Sequence, residues 1–141
     1  MKKIIFVAMA LVCAYATSFA QSKTPMAVTT AFNQKFPNAS KVKWDKENAH
    51  EYEASFEWKG EKLSANFSDN GEWLETESPI SFNLLPEKVQ SAFNSAHKGA
   101  LVKAVAKIET SKGITKFEVE FKQGVKTIEL FYTIDGTEIK E

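Results

Sequence analysis

Arginine is absent from this 141-residue chain: all eighteen basic residues are lysines. The planar fork that clasps phosphate or carboxylate groups bidentately is therefore missing. Cysteine is nearly absent, since Cys13 is the only one and falls in an N-terminal apolar run. Histidine is scarce, with His50 in an expected loop and His97 near an expected helix end. Two histidines without a cysteine partner make no zinc set, so no metal and no cofactor is expected. The apolar run 4–15 is shorter than the roughly 20 residues a membrane helix needs.

That run has the form of a secretory signal. Lys2 and Lys3 charge its start, and Ser18-Phe19-Ala20 offers small residues where a signal peptidase reads. Residues 1–20 are expected to be removed after Ala20, leaving Gln21 first and placing the protein in the periplasm or outside the cell. The rival reading keeps Cys13 as a lipidated first residue, but Val12 stands before it where a small residue is needed. Removal leaves sixteen lysines against eighteen carboxylates and no thiol or disulfide. A slightly acidic chain without a basic stripe argues against nucleic acid as partner. A single domain, 21–141, of about 120 residues can bury roughly two-thirds of its unfolded surface, enough for a core without disulfides.

The most patterned stretch is 51–77, EYEASFEWKGEKLSANFSDNGEWLETE. Tyr52, Ala54, Phe56 and Trp58 alternate with Glu53, Ser55 and Glu57, the period of a half-buried strand. Lys59-Gly60 and Asn70-Gly71 supply tight turns, and Asn-Gly is a strong hairpin signal. Around this meander the chain repeats itself. VTTAFN from Val28 recurs as VQSAFN from Val89, YEASF from Tyr52 as FEVEF from Phe117, and Asn70-Gly71 as Asp135-Gly136. The offsets are 61 residues at the first match and 65 at the other two, so two related units, about 24–78 and 85–141, are expected.

Each unit opens with a short helix. Thr24-Pro25 reads as a cap followed by proline at the first helical position, with Val28, Ala31, Phe32 and Phe36 as the apolar stripe and Pro37 as the stop. Leu85-Pro86-Glu87 starts the second, which carries Val89, Ala92, Phe93 and Ala96 and ends near Gly99. Strands are expected at 41–44, 51–58, 62–68 and 72–77, then at 101–109, 115–122, 126–133 and 137–140, with 78–84 as linker. The fold class is α+β, a tandem repeat of helix plus antiparallel four-stranded meander. The helices lie on one face of a curved sheet and the other face is open.

Parity then assigns the open face. A two-residue Asn70-Gly71 loop sets Ser68 against Trp73 and Phe67 against Leu74, and opposed residues share a side. Leu74 joins the core and Trp73 the open face. Tyr132 opposes Ile139 in the second unit, and Glu138 takes the place of Trp73. Glu53, Ser55, Glu57, Ser64, Asn66 and Glu75 join Trp73 from the first unit, and Glu118, Glu120, Glu129 and Phe131 come from the second. This is an acidic surface with two aromatic anchors, and an exposed indole is a frequent hot spot. The plain alternative packs Trp73 under the linker or under residues 21–23.

The paired glutamates raise the question of acid–base chemistry. Catalytic carboxylates need surroundings that push their pKa values apart, whereas these alternate with core residues among lysines, as on a solvated strand face. No catalytic residue is assigned. Asp45, Glu47, Asp69 and Asn70 read as turn residues, with too few oxygens at loop spacing for calcium. Asn38-Ala39-Ser40 and Asn66-Phe67-Ser68 fit the glycosylation pattern, which carries little weight in a chain of bacterial appearance.

Val42-Lys43-Trp44, YEASF from Tyr52, GEWLETE from Gly71 and Leu85-Pro86 together resemble the PepSY-like family, described as similar to the β-lactamase-inhibitor protein and common in the periplasm of Bacteroides-type bacteria. The resemblance spans the whole mature chain and is most specific from WLETE to LP. It implies a tandem repeat with a concave exposed sheet and a secreted or periplasmic binding protein without catalytic residues. No family functional residue is carried over. A chain without mature cysteines also departs from the disulfide-bearing inhibitor itself. Two classes of function follow. One is a protein-binding inhibitor or modulator of an envelope enzyme, with an unnamed protein or peptide partner. The other is small-ligand, peptide or glycan binding on the same face, with Trp73 as platform.

Overall fold

The computed structural model describes residues 24–140. The expected signal segment, with Cys13 and the cleavage point after Ala20, lies outside them. In chain order the elements are α1 (Met26–Lys35), β1 (Ser40–Lys46), β2 (Glu51–Trp58), β3 (Glu61–Ser68) and β4 (Trp73–Pro79). A 3₁₀ turn, Phe82–Leu84, leads into α2 (Glu87–Ala96), β5 (Leu101–Thr110), β6 (Thr115–Gln123), β7 (Lys126–Thr133) and β8 (Glu138–Ile139). The eight strands form one sheet in sequence order, each pair antiparallel. The class is α+β.

Each helix buries two side chains four residues apart, one above the other on a single stripe. These are Val28 and Phe32 in α1 and Val89 and Phe93 in α2. The expected Thr24 cap is not made. Each helix begins after a proline with extended ψ (147° at Pro25, 140° at Pro86), and neither has a side-chain cap. Phe32 meets Phe56 edge-on at 4.9 Å and Phe67 at 6.1 Å, while Phe93 meets Phe121 at 5.3 Å. Two apolar clusters result. One gathers α1 with β2 and β3 around Tyr52, Ala54 and Phe67, and the other gathers α2 with β5 to β7 around Val105, Val119 and Tyr132.

Lys59 and Gly60 both have positive φ, and Trp58 pairs with Glu61, so this is the two-residue turn the sequence predicts. The Asn70-Gly71 turn differs. Only Gly71 has positive φ (89°), the Gly71 N–H donates to the Ser68 carbonyl, and the Ser68 N–H donates to the Glu72 carbonyl. The loop therefore holds three residues, a turn ending in a left-handed glycine. Ser68 Oγ bonds the Asn70 side chain and accepts the Glu72 N–H, which holds this form. The extra residue sets Phe67 opposite Trp73, and a bulge follows between Asn66 and Phe67. Trp73 is therefore on the helix side, contrary to the parity argument. The second hairpin has the same form, with Phe131 opposite Ile139 and Tyr132 opposite Glu138, so that expectation is corrected too.

Pro79, expected in the linker, ends β4 opposite Ala106. The β4–β5 ladder, Glu75↔Thr110 to Pro79↔Ala106, joins the two halves into one sheet.

Candidate functional site

Side chains directly opposed across strands share a side of the sheet, so the side turned away from α1 and α2 can be followed from strand to strand. One row reads Asp45, Glu53, Asn66, Glu75 and Thr110. The next reads Ser55, Ser64, Glu77, Ile108, Lys116 and Thr133. A third holds Pro79, Ala106, Glu118 and Phe131, and a fourth Ala104, Glu120 and Glu129. Along this side β5 presents Ala104, Ala106, Ile108 and Thr110: Glu75 and Glu77 of β4 stand beside Thr110 and Ile108, and Glu118 and Glu120 of β6 beside Ala106 and Ala104.

Although neither helix covers it, the middle of this side is not open to water. Ile108 is 0% exposed, Ser64 4% and Lys116 9%. Lys116 Nζ lies 3.2 Å from Glu75 Oε2 and 5.3 Å from the Phe131 ring, so the pair spans Ile108 and roofs it. Asn66 Oδ1 is buried and has no hydrogen-bond donor among the described residues. Burial raises the Glu53 carboxyl above its ordinary value, against the lowering influence of Ser64.

The carboxyls here hold their protons unusually well. Burial, then the charges of Glu118, Glu75 and Glu53, push Glu77 up to about 8. Burial, then Glu129 and Glu120, push Glu118 to about 7, and burial with Glu120 and Glu47 does the same for Glu129. Glu47 sits in the β1–β2 loop, whereas Glu129 is on β7. This side, turned away from the residues that pack against α1 and α2, is the inner side of the sheet.

The expected residues Glu53, Glu57, Ser64, Asn66, Glu75, Glu118, Glu120 and Phe131 fall together on this side. Glu57 is at the edge, paired with Lys41 at 2.9 Å. Trp73 is not among them. It packs against the α1 cluster, its Nε1 donates to Thr76 Oγ1 at 3.0 Å, and Lys35 Nζ lies 3.5 Å from the ring centre. The central glutamates are half-buried rather than fully solvated, which departs from the expected solvated strand face.

Reading the sequence missed Glu77, Lys116 and Ile108. Glu77 shares the alternation of Glu75 and was within reach of the same argument. Lys116 has the parity of Glu118, but a lysine beside a turn reads as solvated. Ile108 could not be assigned, because the bulge between Val102 and Ala104 shifts the register within β5. His50 bonds Asp69 on an exposed turn and His97 stacks at 4.6 Å on Phe121, so both lie off this side. No group of three or more metal-ligating side chains occurs among the described residues.

A sequence model of beta-lactamase-inhibitor-like, PepSY-like proteins matches residues 11–63 and 51–140. Among solved structures, a BLIP-like protein from Bacteroides fragilis is 29% identical, with TM-score 0.66 and 84% of each chain covered. A DUF2874 family protein from Bacteroides ovatus is 26% identical, with TM-score 0.70, over 84% of this chain and 86% of that one. A protein from Bacteroides eggerthii, described as a candidate periplasmic protein, shares the fold at 17% identity and TM-score 0.73, over 84% of this chain and 87% of its own. No curated protein matches the chain.

Proposed function

Because this chain belongs to the PepSY-like, beta-lactamase-inhibitor-like family, we propose that it is a non-catalytic binding protein of the cell envelope that takes a protein partner on the inner side of its sheet. The observation that carries this reading is a sheet side, built from both halves of the chain, that neither helix covers and that carboxylates line. An inhibitor or modulator of an envelope enzyme is the form of this function that the family name favours. The lining favours a protein or peptide over an apolar small ligand, which would want apolar walls.

Location in the periplasm or outside the cell rests on the signal form of residues 1–20 and on the periplasmic description of one structural relative. Among the described residues no helix is long and apolar enough to cross a membrane. We also read the chain as a duplicated unit with both helices on one side. The support is the sequence repeat together with a contact found twice, Gly71 against the Ala27 carbonyl and Gly136 against that of Lys88.

The test is site-specific photo-crosslinking in envelope preparations of a producing cell. A photoreactive residue at Ser55, on the inner side, is expected to capture a discrete protein partner. The same residue at Thr30, exposed on α1, is expected to capture none. Capture from Thr30 alone, or from neither position, would overturn the reading.

A further inference from the structure

We propose that the lysine-bearing end of the sheet, where Leu101 and Val125 stand exposed, seats the protein on an anionic phospholipid surface. This goes beyond the inner-side reading and does not rest on it. The end holds the β2–β3 and β6–β7 turns, the start of β5 and the turn that leads into it from α2. Lys59 and Lys62 belong to the first turn, Lys122 and Lys126 flank the second, and Lys98 lines a shallow groove together with Lys122. All five are exposed, and among the described residues none of them makes an ion pair. The carboxylates nearby are Glu57, already held by Lys41, and Glu61. The strand connections at the opposite end carry Glu47, Asp69, Glu72 and Asp135 against Lys112 alone, so the molecule is polarised along its strands.

Two apolar side chains stand among these lysines without a packing reason. Val125 is 98% exposed at the tip of the β6–β7 hairpin, and Leu101, opposite Lys122, is 64% exposed. Gln123 pairs with Lys126, so Gly124 and Val125 form a two-residue turn in which only Gly124 has positive φ (63°). The turn therefore calls for its glycine but not for its valine. The matching turn of the first unit, Lys59-Gly60, carries no apolar side chain. An apolar tip inside a cationic rim fits the lipid interface: the tip enters below the headgroups while the ammonium groups stay level with the phosphates.

The spread and the kind of charge favour a bilayer over a small anion or an acidic protein. β3 and β6 stand three strand spacings, about 14 Å, apart. Their turns cannot converge on one small anion, whereas a flat charged surface meets both. Lysine offers a point charge on a flexible stem, without the fork that selects a carboxylate in fixed geometry. Fluid headgroups ask for no fixed geometry. An acidic protein would have to provide a fitted hole for Val125, and a bilayer needs none. Docking by this end turns the acidic connections away from the surface and leaves the inner side of the sheet uncovered.

The experiment is flotation of the secreted chain with vesicles of phosphatidylglycerol and phosphatidylcholine, and separately with vesicles of phosphatidylcholine alone. Binding is expected to the first, weakening as salt is raised, and not to the second. Lys122→Gln/Lys126→Gln is expected to weaken binding by about tenfold or more and to reduce its salt dependence, through the loss of two charges at the surface. Val125→Ser is expected to weaken it by about fivefold with the salt dependence unchanged, because what is lost is apolar contact. A control at the opposite end, Lys46→Gln/Lys112→Gln, is expected to change it by less than about twofold. All five side chains are exposed, so the variants keep the fold, and equal melting temperatures check this. No binding to the anionic vesicles, equal binding to both kinds, or equal weakening in the control pair would overturn the proposal. Full competition by soluble glycerol phosphate would overturn it in favour of a small-anion site. Capture on poly-glutamate without flotation would overturn it in favour of an acidic protein.

Discussion

Trp73 is held by three unlike contacts: apolar packing on the α1 cluster, a hydrogen bond from Nε1 to Thr76 Oγ1, and the Lys35 ammonium over its ring. Removing the ring opens a cavity and strips Lys35 of its partner, so Trp73→Ala is expected to cost about 2–4 kcal/mol, at the lower end for a ring only partly enclosed. Trp73→Phe keeps the packing but not the hydrogen bond and should cost less than half of that. Urea unfolding measures both, and a Trp73→Ala loss below about 0.5 kcal/mol would place the ring in solvent, since surface substitutions stay within that range. The sequence pointed the other way because a strand has period two, and one extra turn residue moves the next side chain to the opposite side. The residue-level signal for the longer loop is Ser68 bonded to Asn70 and Thr133 bonded to Asp135, which local pattern reading does not distinguish from ordinary turn polarity.

The helices and strands themselves were legible to within a few residues, because strict alternation and the proline-led helix starts leave few other solutions. What the pattern does not contain is how the β3–β4 and β7–β8 hairpins touch the helices. A Cβ at Gly71 would lie 2.7 Å from the Ala27 carbonyl oxygen, and one at Gly136 would lie 2.6 Å from that of Lys88. Both glycines also have positive φ, 89° and 85°. Strain and collision with helix backbone act together, so Gly71→Ala and Gly136→Ala are each expected to lose about 2–4 kcal/mol. Gly60 has a similar φ of 86° but nothing within 4 Å of a Cβ. Gly60→Ala should therefore lose only about 1 kcal/mol, the conformational part alone. Chemical denaturation of the three variants separates the two contributions, and equal losses at all three positions would mean that the hairpin–helix contact is soft.

Burial of the acidic inner side belongs to the whole sheet, which is why it could not be read locally. Parity alone brought Glu53, Glu75, Glu118 and Glu120 together, but the raised carboxyls of Glu77, Glu118 and Glu129 depend on burial and on neighbours from several strands at once. The consequence is a stability profile inclined toward acid. Glu77 titrates near 8 in the folded chain and Glu118 near 7, against 4.5 when unfolded. Between those values the folded state holds more protons than the unfolded one, so stability falls as pH rises, by up to about 1.4 kcal/mol per pH unit for each such group. Their contribution is complete below about 4.5 and lost as pH passes through 7 to 8. Glu129, raised to about 7 but more open to solvent, adds less. Asp135, lowered by its bond from Thr133, acts in the opposite sense. Thermal unfolding at constant ionic strength should therefore give a melting temperature that climbs as pH is taken from 8 down to 5. Glu77→Gln should raise the value at pH 8 and flatten the climb, because the amide carries no charge to desolvate. A profile that instead falls over that interval would mean that these carboxylates are ionised and well solvated in the folded chain.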